Sequence, residues 1–151
     1  MRARPNGFTL VEIMMATAIL GILVVAGFPK VSAGLARSNV TSARTALANM
    51  VAKARAAALQ TNRLTWLKIE NNNALILARP RVQPGAGNAD TMGAVEPLGE
   101  SYGVEVTGTV DSVRFDPRGL GTGFGATATF LVSKGGHTET VVIDGLGRVS
   151  R

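Results

Sequence analysis

Few side chains in this sequence could do chemistry, and one of them stands where a charge is costly. Glu12 lies near the start of an apolar run, GFTLVEIMMATAILGILVVAGF over residues 7–28. A carboxylate placed mid-helix in such a segment costs about 2.5–3.5 kcal/mol to insert in a membrane, so it needs a partner or a function. The other candidates are weaker. His137 is the single histidine and there is no cysteine. Thiol catalysis and thiolate metal sites are therefore excluded, and His137, in an expected hairpin turn, has no second imidazole beside it. Gly121, Gly123 and Ala126 fit G-x-G-x-x-A, but that fingerprint needs a strand before it and a helix after it. The following ATATFLV reads as a strand, so the glycines mark a turn. No P-loop is present, the serines lack a base, and the carboxylates are scattered through turns. The sequence predicts no enzyme, no cofactor and no metal site.

Glu12 must be positioned by the apolar run itself. Residues 8–28 would form roughly 32 Å of helix at about 1.5 Å per residue, enough to cross a hydrocarbon core of about 30 Å. The basic leader MRARPN precedes them. Three readings fit that pattern: a signal peptide cut after Ala26, an ordinary membrane anchor, or a specialised segment. Only the third explains Glu12.

Gly7-Phe8-Thr9-Leu10-Val11-Glu12 resembles the processing site of type IV pilins and type II secretion pseudopilins. Ala18 to Leu23, and Pro29 just past the run, fit the same family. The resemblance implies cleavage between Gly7 and Phe8 by a prepilin peptidase and N-methylation of Phe8. It also implies an apolar helix that anchors the chain in the inner membrane and later packs in a filament core. Glu12 and Pro29 would be assembly residues. The amine of Phe8 would lie one turn from Glu12, because residues four apart share a helix face. A buried charge persists when paired, so Glu12 would neutralise that amine or a neighbouring subunit's.

The expected organisation is a leader over 1–7, a transmembrane and filament-core helix over 8–28, an amphipathic helix over 29–62, and a β-rich domain over 63–151. Arg2 and Arg4 place the leader on the cytoplasmic side, leaving the domain in the periplasm. Beyond the span about 120 residues remain, one modest domain. Pro29 is expected to kink or interrupt the helix. After it, Val40, Ala43, Leu47, Met50, Val51, Ala54 and Ala58 recur at helical spacing and predict one buried stripe. Arg37, Arg44, Lys53, Arg55 and Arg63 would form a solvated face. Strands are expected over 64–69 and 74–79 around a turn at 70–73, then over 102–106, 110–115, 127–133 and 138–143, with a last edge strand at 148–150. Residues 80–99 read as a long surface loop with few core anchors.

The fold class is thus α+β, a long helix packed on an antiparallel all-β domain, pilin-like. The downstream part resembles the GspH/FimT group through Phe115-Asp116-Pro117-Arg118-Gly119, the strand at 127–132, and the closing 141–149. Expected partners are other pilins through the N-terminal helix, the peptidase and the inner membrane, with a pilus or pseudopilus as destination.

DNA is the remaining candidate partner. The net charge is +6, a mild bias that suits acidic partners. FimT-like members resemble DNA receptors with a C-terminal Gly-Arg-x-Arg motif. This chain has Gly147, Arg148 and Arg151, one residue longer in spacing, which in a strand puts the two arginines on opposite faces. Arg114, Arg118 and Lys134 could extend a patch. One Trp and one Tyr are too few for a stacking platform, so contact would be with phosphates and salt-sensitive.

Overall fold

A single helix, α1, accounts for residues Leu10–Thr61 in the computed structural model, which describes residues 7–80, 89–123 and 125–150. The chain divides into two units, Met1–Leu35 and Ala36–Arg151. Pro29 lies inside α1, so the expected interruption does not occur. The proline removes one ladder bond, that to the carbonyl of Val25, at a cost of about 3 kcal/mol. Ending and restarting the helix would orphan up to four donors and four acceptors, the larger cost. Ser32 Oγ donates to the Pro29 carbonyl at 2.9 Å.

In the second unit α1 shows one buried face. All seven residues of the predicted stripe are buried, and Ala36 joins them. Four of the eight are alanine, which lets the helix backbone approach the sheets closely. Asn62 ends the helix with φ +50°, the left-handed conformation that asparagine tolerates best after glycine. Arg63 then donates to the Arg79 carbonyl and the Asp90 carboxylate, tying the helix end to the neighbouring strands.

Among the described residues ten strands follow, in two antiparallel sheets. β1 (Thr65–Glu70) and β2 (Asn73–Ala78) form a hairpin, with β3 (Asp90–Thr91) and β4 (Glu96–Pro97) added on β2. A short helix α2 (Leu98–Tyr102) leads to β5 (Glu105–Gly108), β6 (Ser112–Phe115) and β7 (Gly121–Thr122). β8 (Thr127–Lys134), β9 (His137–Asp144) and β10 (Val149–Ser150) complete the chain. The first sheet runs β3-β2-β1-β6-β7, and the second β10-β9-β8-β5.

Both long hairpins close through two residues with positive φ, Asn71 and Asn72 in one, Gly135 and Gly136 in the other. This is the type I′ requirement, whose twist matches that of the strands. Alternation puts Leu67, Ile76, Val113 and Phe115 of the first sheet, and Phe130, Val132, Val141 and Ile143 of the second, into one core with the α1 stripe. Each such side chain contributes about 1.5–3 kcal/mol by leaving water. Thr65, the buried polar residue among those described, donates its hydroxyl to the Ala54 carbonyl at 2.8 Å.

The segment 80–99 differs from the expected loop. Residues 81–88 lie outside the described residues, but the remainder carries β3, β4 and the start of α2, and Leu98 is fully buried. Two-residue strands are too short to show an alternating pattern. Tyr102 ends α2 instead of opening a strand. The basic helix face is also less solvated than expected. Arg44 donates Nε to the Thr140 carbonyl at 3.0 Å and lies 3.6 Å from Glu139. Thr41 donates its hydroxyl to the same carboxylate at 2.7 Å, so this part of α1 is pinned to β9.

Candidate processing site and basic turns

In the first unit, residues 7–9 precede α1 in non-helical conformation. Thr9 closes the helix end. Its Oγ1 accepts the Glu12 N–H at 3.2 Å and its carbonyl accepts the Ile13 N–H at 3.3 Å. Those are the two bonds of an N-cap residue. Thr9 and Glu12 stand in the T-x-x-E spacing of a capping box, and Phe8 and Ile13 hold the positions of a hydrophobic staple. Phe8, Glu12, Ile13, Ala16, Thr17 and Leu20 border one shallow groove along the helix. Glu12 is the sole charged group there, and no cation pairs with it among the described residues. An 18-residue window of α1 reaches a mean hydropathy of 2.3 with no residue buried. The helix is long and apolar enough to cross a membrane.

In the second unit two turns share one construction. Asp116 accepts the Arg118 and Leu120 N–H groups on Oδ1, both at 2.9 Å, and Arg118 Nε on Oδ2 at 3.1 Å. Asp144 accepts the Leu146 and Arg148 N–H groups on Oδ1, at 3.0 and 2.8 Å, and Arg148 Nε on Oδ2 at 3.0 Å. In each, a glycine three residues after the aspartate has positive φ, Gly119 at +76° and Gly147 at +71°. The Leu120 N–H holds the Asp116 carboxyl below the ordinary range, and the Arg148 N–H does so for Asp144, each helped by its arginine. The turns adjoin: Gly121 N–H donates to the Gly145 carbonyl at 3.1 Å.

Of the five residues expected to contact DNA, the four described do not form one cluster. Arg118 and Arg148 rise from adjoining turns, each held by its own aspartate. Arg114 lies opposite Trp66 and Thr122 on the outer side of the first sheet. Lys134 faces His137 at the far end of β8 from Thr127, which pairs with Asp144, a distance of roughly 23 Å at about 3.3 Å per residue. Its Nζ donates to the Tyr102 carbonyl at 2.6 Å, where a cation favours the C-terminal end of α2. Lys134 is thus a local cap. Arg151 lies outside the described residues. His137 opens β9 instead of sitting in the turn, and Gly121–Thr122 form β7 ahead of a strand, so those glycines hold no nucleotide fingerprint.

Sequence reasoning missed Thr9 and the paired aspartates. The signals were present as T-x-x-E inside the processing motif, and as D-x-x-G repeated at 116–119 and 144–147.

Comparison with known proteins gives two family matches. The prokaryotic N-terminal methylation motif matches residues 2–28, and the type II transport protein GspH matches residues 43–147. Among curated protein sequences none matches. Two crystal forms of the type IV minor pilin FimU of Pseudomonas aeruginosa PAO1 share the fold. One gives a TM-score of 0.58 at 17% identity, covering 76% of this chain and 88% of that one. The other gives 0.54 at 17% identity, covering 73% and 90%. One long helix packed on an antiparallel β domain is the pilin fold. The chain belongs to the type II transport protein GspH family, the GspH/FimT-type minor pilins and pseudopilins that its residues resemble.

Proposed function

We propose that this chain is a structural subunit of a type IV pilus or a type II secretion pseudopilus, made as a precursor. A prepilin peptidase cuts between Gly7 and Phe8, and the new amine of Phe8 is methylated. Residues 8–28 hold the protein in the inner membrane with its domain on the periplasmic side. The same helix, with Glu12 and Pro29, then enters the filament, where the subunit primes or caps assembly. The observation that carries this reading is the lone carboxylate on a bare apolar helix, one turn from the Gly7–Phe8 bond, in a chain that continues into a GspH domain. Once the bond is cut, an ammonium appears four residues from Glu12, and charge pairing in an apolar setting would follow. Co-expression of the full chain with a prepilin peptidase, followed by mass spectrometry of the N-terminus, tests it. N-methylated Phe8 as the first residue is the expected result. A chain that keeps Met1 in the presence of active peptidase would overturn the reading.

A second reading, contact with DNA phosphates, is favoured by the adjoining turns of Arg118 and Arg148, whose side chains are 81% and 68% exposed. Titration of the full chain in detergent with short duplex DNA at two salt concentrations tests it. Loss of binding in Arg118→Ala/Arg148→Ala is expected, and unchanged binding in that variant would refute the site.

A further inference from the structure

We propose that Thr9 is the positioning residue for the Gly7–Phe8 cleavage: its side chain stops α1 short of the scissile bond and keeps that bond extended for the peptidase. The proposal rests on the processing reading above. A protease takes its substrate with the backbone extended, so that the N–H and C=O groups near the scissile bond are free to pair with the enzyme. Inside an α-helix the carbonyls are engaged in the ladder from its first residue, and beyond the first turn the N–H groups are too. The sequence after Thr9 gives the helix every reason to start early, because from Leu10 to Phe28 only Glu12 and Thr17 interrupt the apolar run. What marks the boundary is the hydroxyl of Thr9, which takes the Glu12 N–H at 3.2 Å while the Thr9 carbonyl takes the Ile13 N–H at 3.3 Å. Phe8, on the outer side of the cap, borders the same groove as Ile13. The staple position fixes the direction in which the chain enters the helix.

The nearest upstream residue of a capping type is Asn6, one turn earlier. A helix starting there would take the Gly7–Phe8 bond into its first turn. Thr9 therefore selects between two starts, of which one leaves the bond accessible. Removing the hydroxyl shifts that balance by a factor of roughly 2 to 30, the worth of a threonine cap. A peptidase that binds only the extended form then sees a smaller competent fraction, and its apparent affinity falls by that fraction.

The test uses the full precursor in detergent with purified prepilin peptidase, reading the cleaved fraction by mass spectrometry. Thr9→Ala and Thr9→Val should raise KM several-fold with kcat unchanged. Thr9→Ser and Thr9→Asn, which cap as well as threonine, should be cut like the wild type. Cleavage of Thr9→Ala with the wild-type KM would overturn the proposal. So would Ser and Asn variants as slow as Thr9→Ala, because the peptidase would then be reading threonine itself. A wild-type chain that the peptidase leaves intact would instead remove the processing reading beneath it.

Discussion

Replacement of Gly147 by alanine combines two costs that a second glycine separates. Gly147 has φ +71°, and a Cβ there would stand 3.0 Å from the Gly119 carbonyl oxygen and 3.0 Å from Phe115 Cε1. Gly136 has φ +80° with open space around its Cβ position. An L side chain in the left-handed region costs about 1–2 kcal/mol, and both substitutions incur it. Only Gly147→Ala also forces a methyl against a backbone oxygen and a fully buried ring, neither of which can swing aside. Overpacking of that kind costs about 1–3 kcal/mol more. Gly136→Ala should therefore lose about 1–2 kcal/mol and Gly147→Ala about 2–5 kcal/mol. Urea unfolding of the unit beginning at Ala36, followed through the fluorescence of Trp66, the single tryptophan, measures both. Equal losses in the two variants would show that the turn carrying Arg148 is not packed against the turn carrying Arg118.

Asn72 bridges the sheets, its Oδ1 accepting the Val106 N–H at 2.9 Å while its own φ is +60°. Asn72→Gly keeps the turn and loses the bond, so a loss of about 1–3 kcal/mol in urea unfolding is expected for the orphaned donor, with Asn72→Ala worse. Asp116 and Asp144 have folded pKa values below the unfolded value of about 3.9, set first by the Leu120 and Arg148 N–H groups. Their stabilisation is complete above that value and is lost as pH falls through the lower folded one. Unfolding midpoints measured from pH 6 down to pH 2 should fall less steeply below about pH 4 in Asp116→Asn/Asp144→Asn than in the wild type. Glu12→Leu should still enter membranes, since an expensive group is removed, yet be missing from sheared filament fractions on immunoblots. Normal incorporation would show that assembly does not use the carboxylate.

The α1 stripe and the two long hairpins were legible because each is a repeated signal. Seven apolar positions share one period, and Asn71-Asn72 and Gly135-Gly136 are residue pairs that tolerate two successive positive φ values. Of the two outcomes expected at Pro29, the interruption fails for a physical reason: a local rule about one ladder bond was set against a cost summed over two helix ends. Residues 89–99 misled because β3 and β4 are two residues each, and Leu98 is a single apolar anchor without a period to announce it. Lys134, Arg118 and Arg148 read as free cations because sequence spacing does not reveal which oxygen a long side chain reaches. The partners are a carbonyl 32 positions away for Lys134 and aspartates two and four positions away for the arginines.

Those partners also decide what the net charge of +6 can do. Arg44, Arg63, Lys68, Arg118 and Arg148 each lie within ion-pair distance of a carboxylate, so these five add little to the excess, which the other basic residues carry. In the adjoining turns each arginine gives its Nε to the aspartate, and a phosphate could use the outer guanidinium edges. It would meet a pair whose charges already cancel. Even with both arginines engaged, two phosphate contacts give a slope of log K against log salt of only about −1.8 on duplex DNA, far short of what 6–10 contacts produce. The helix presents the opposite case. One carboxylate, unpaired within the described residues, is the sole charge on its groove, and in a membrane or a filament core a single opposite charge there would be worth more than several exposed pairs in water. On the proposed function, assembly through the helix would use that carboxylate.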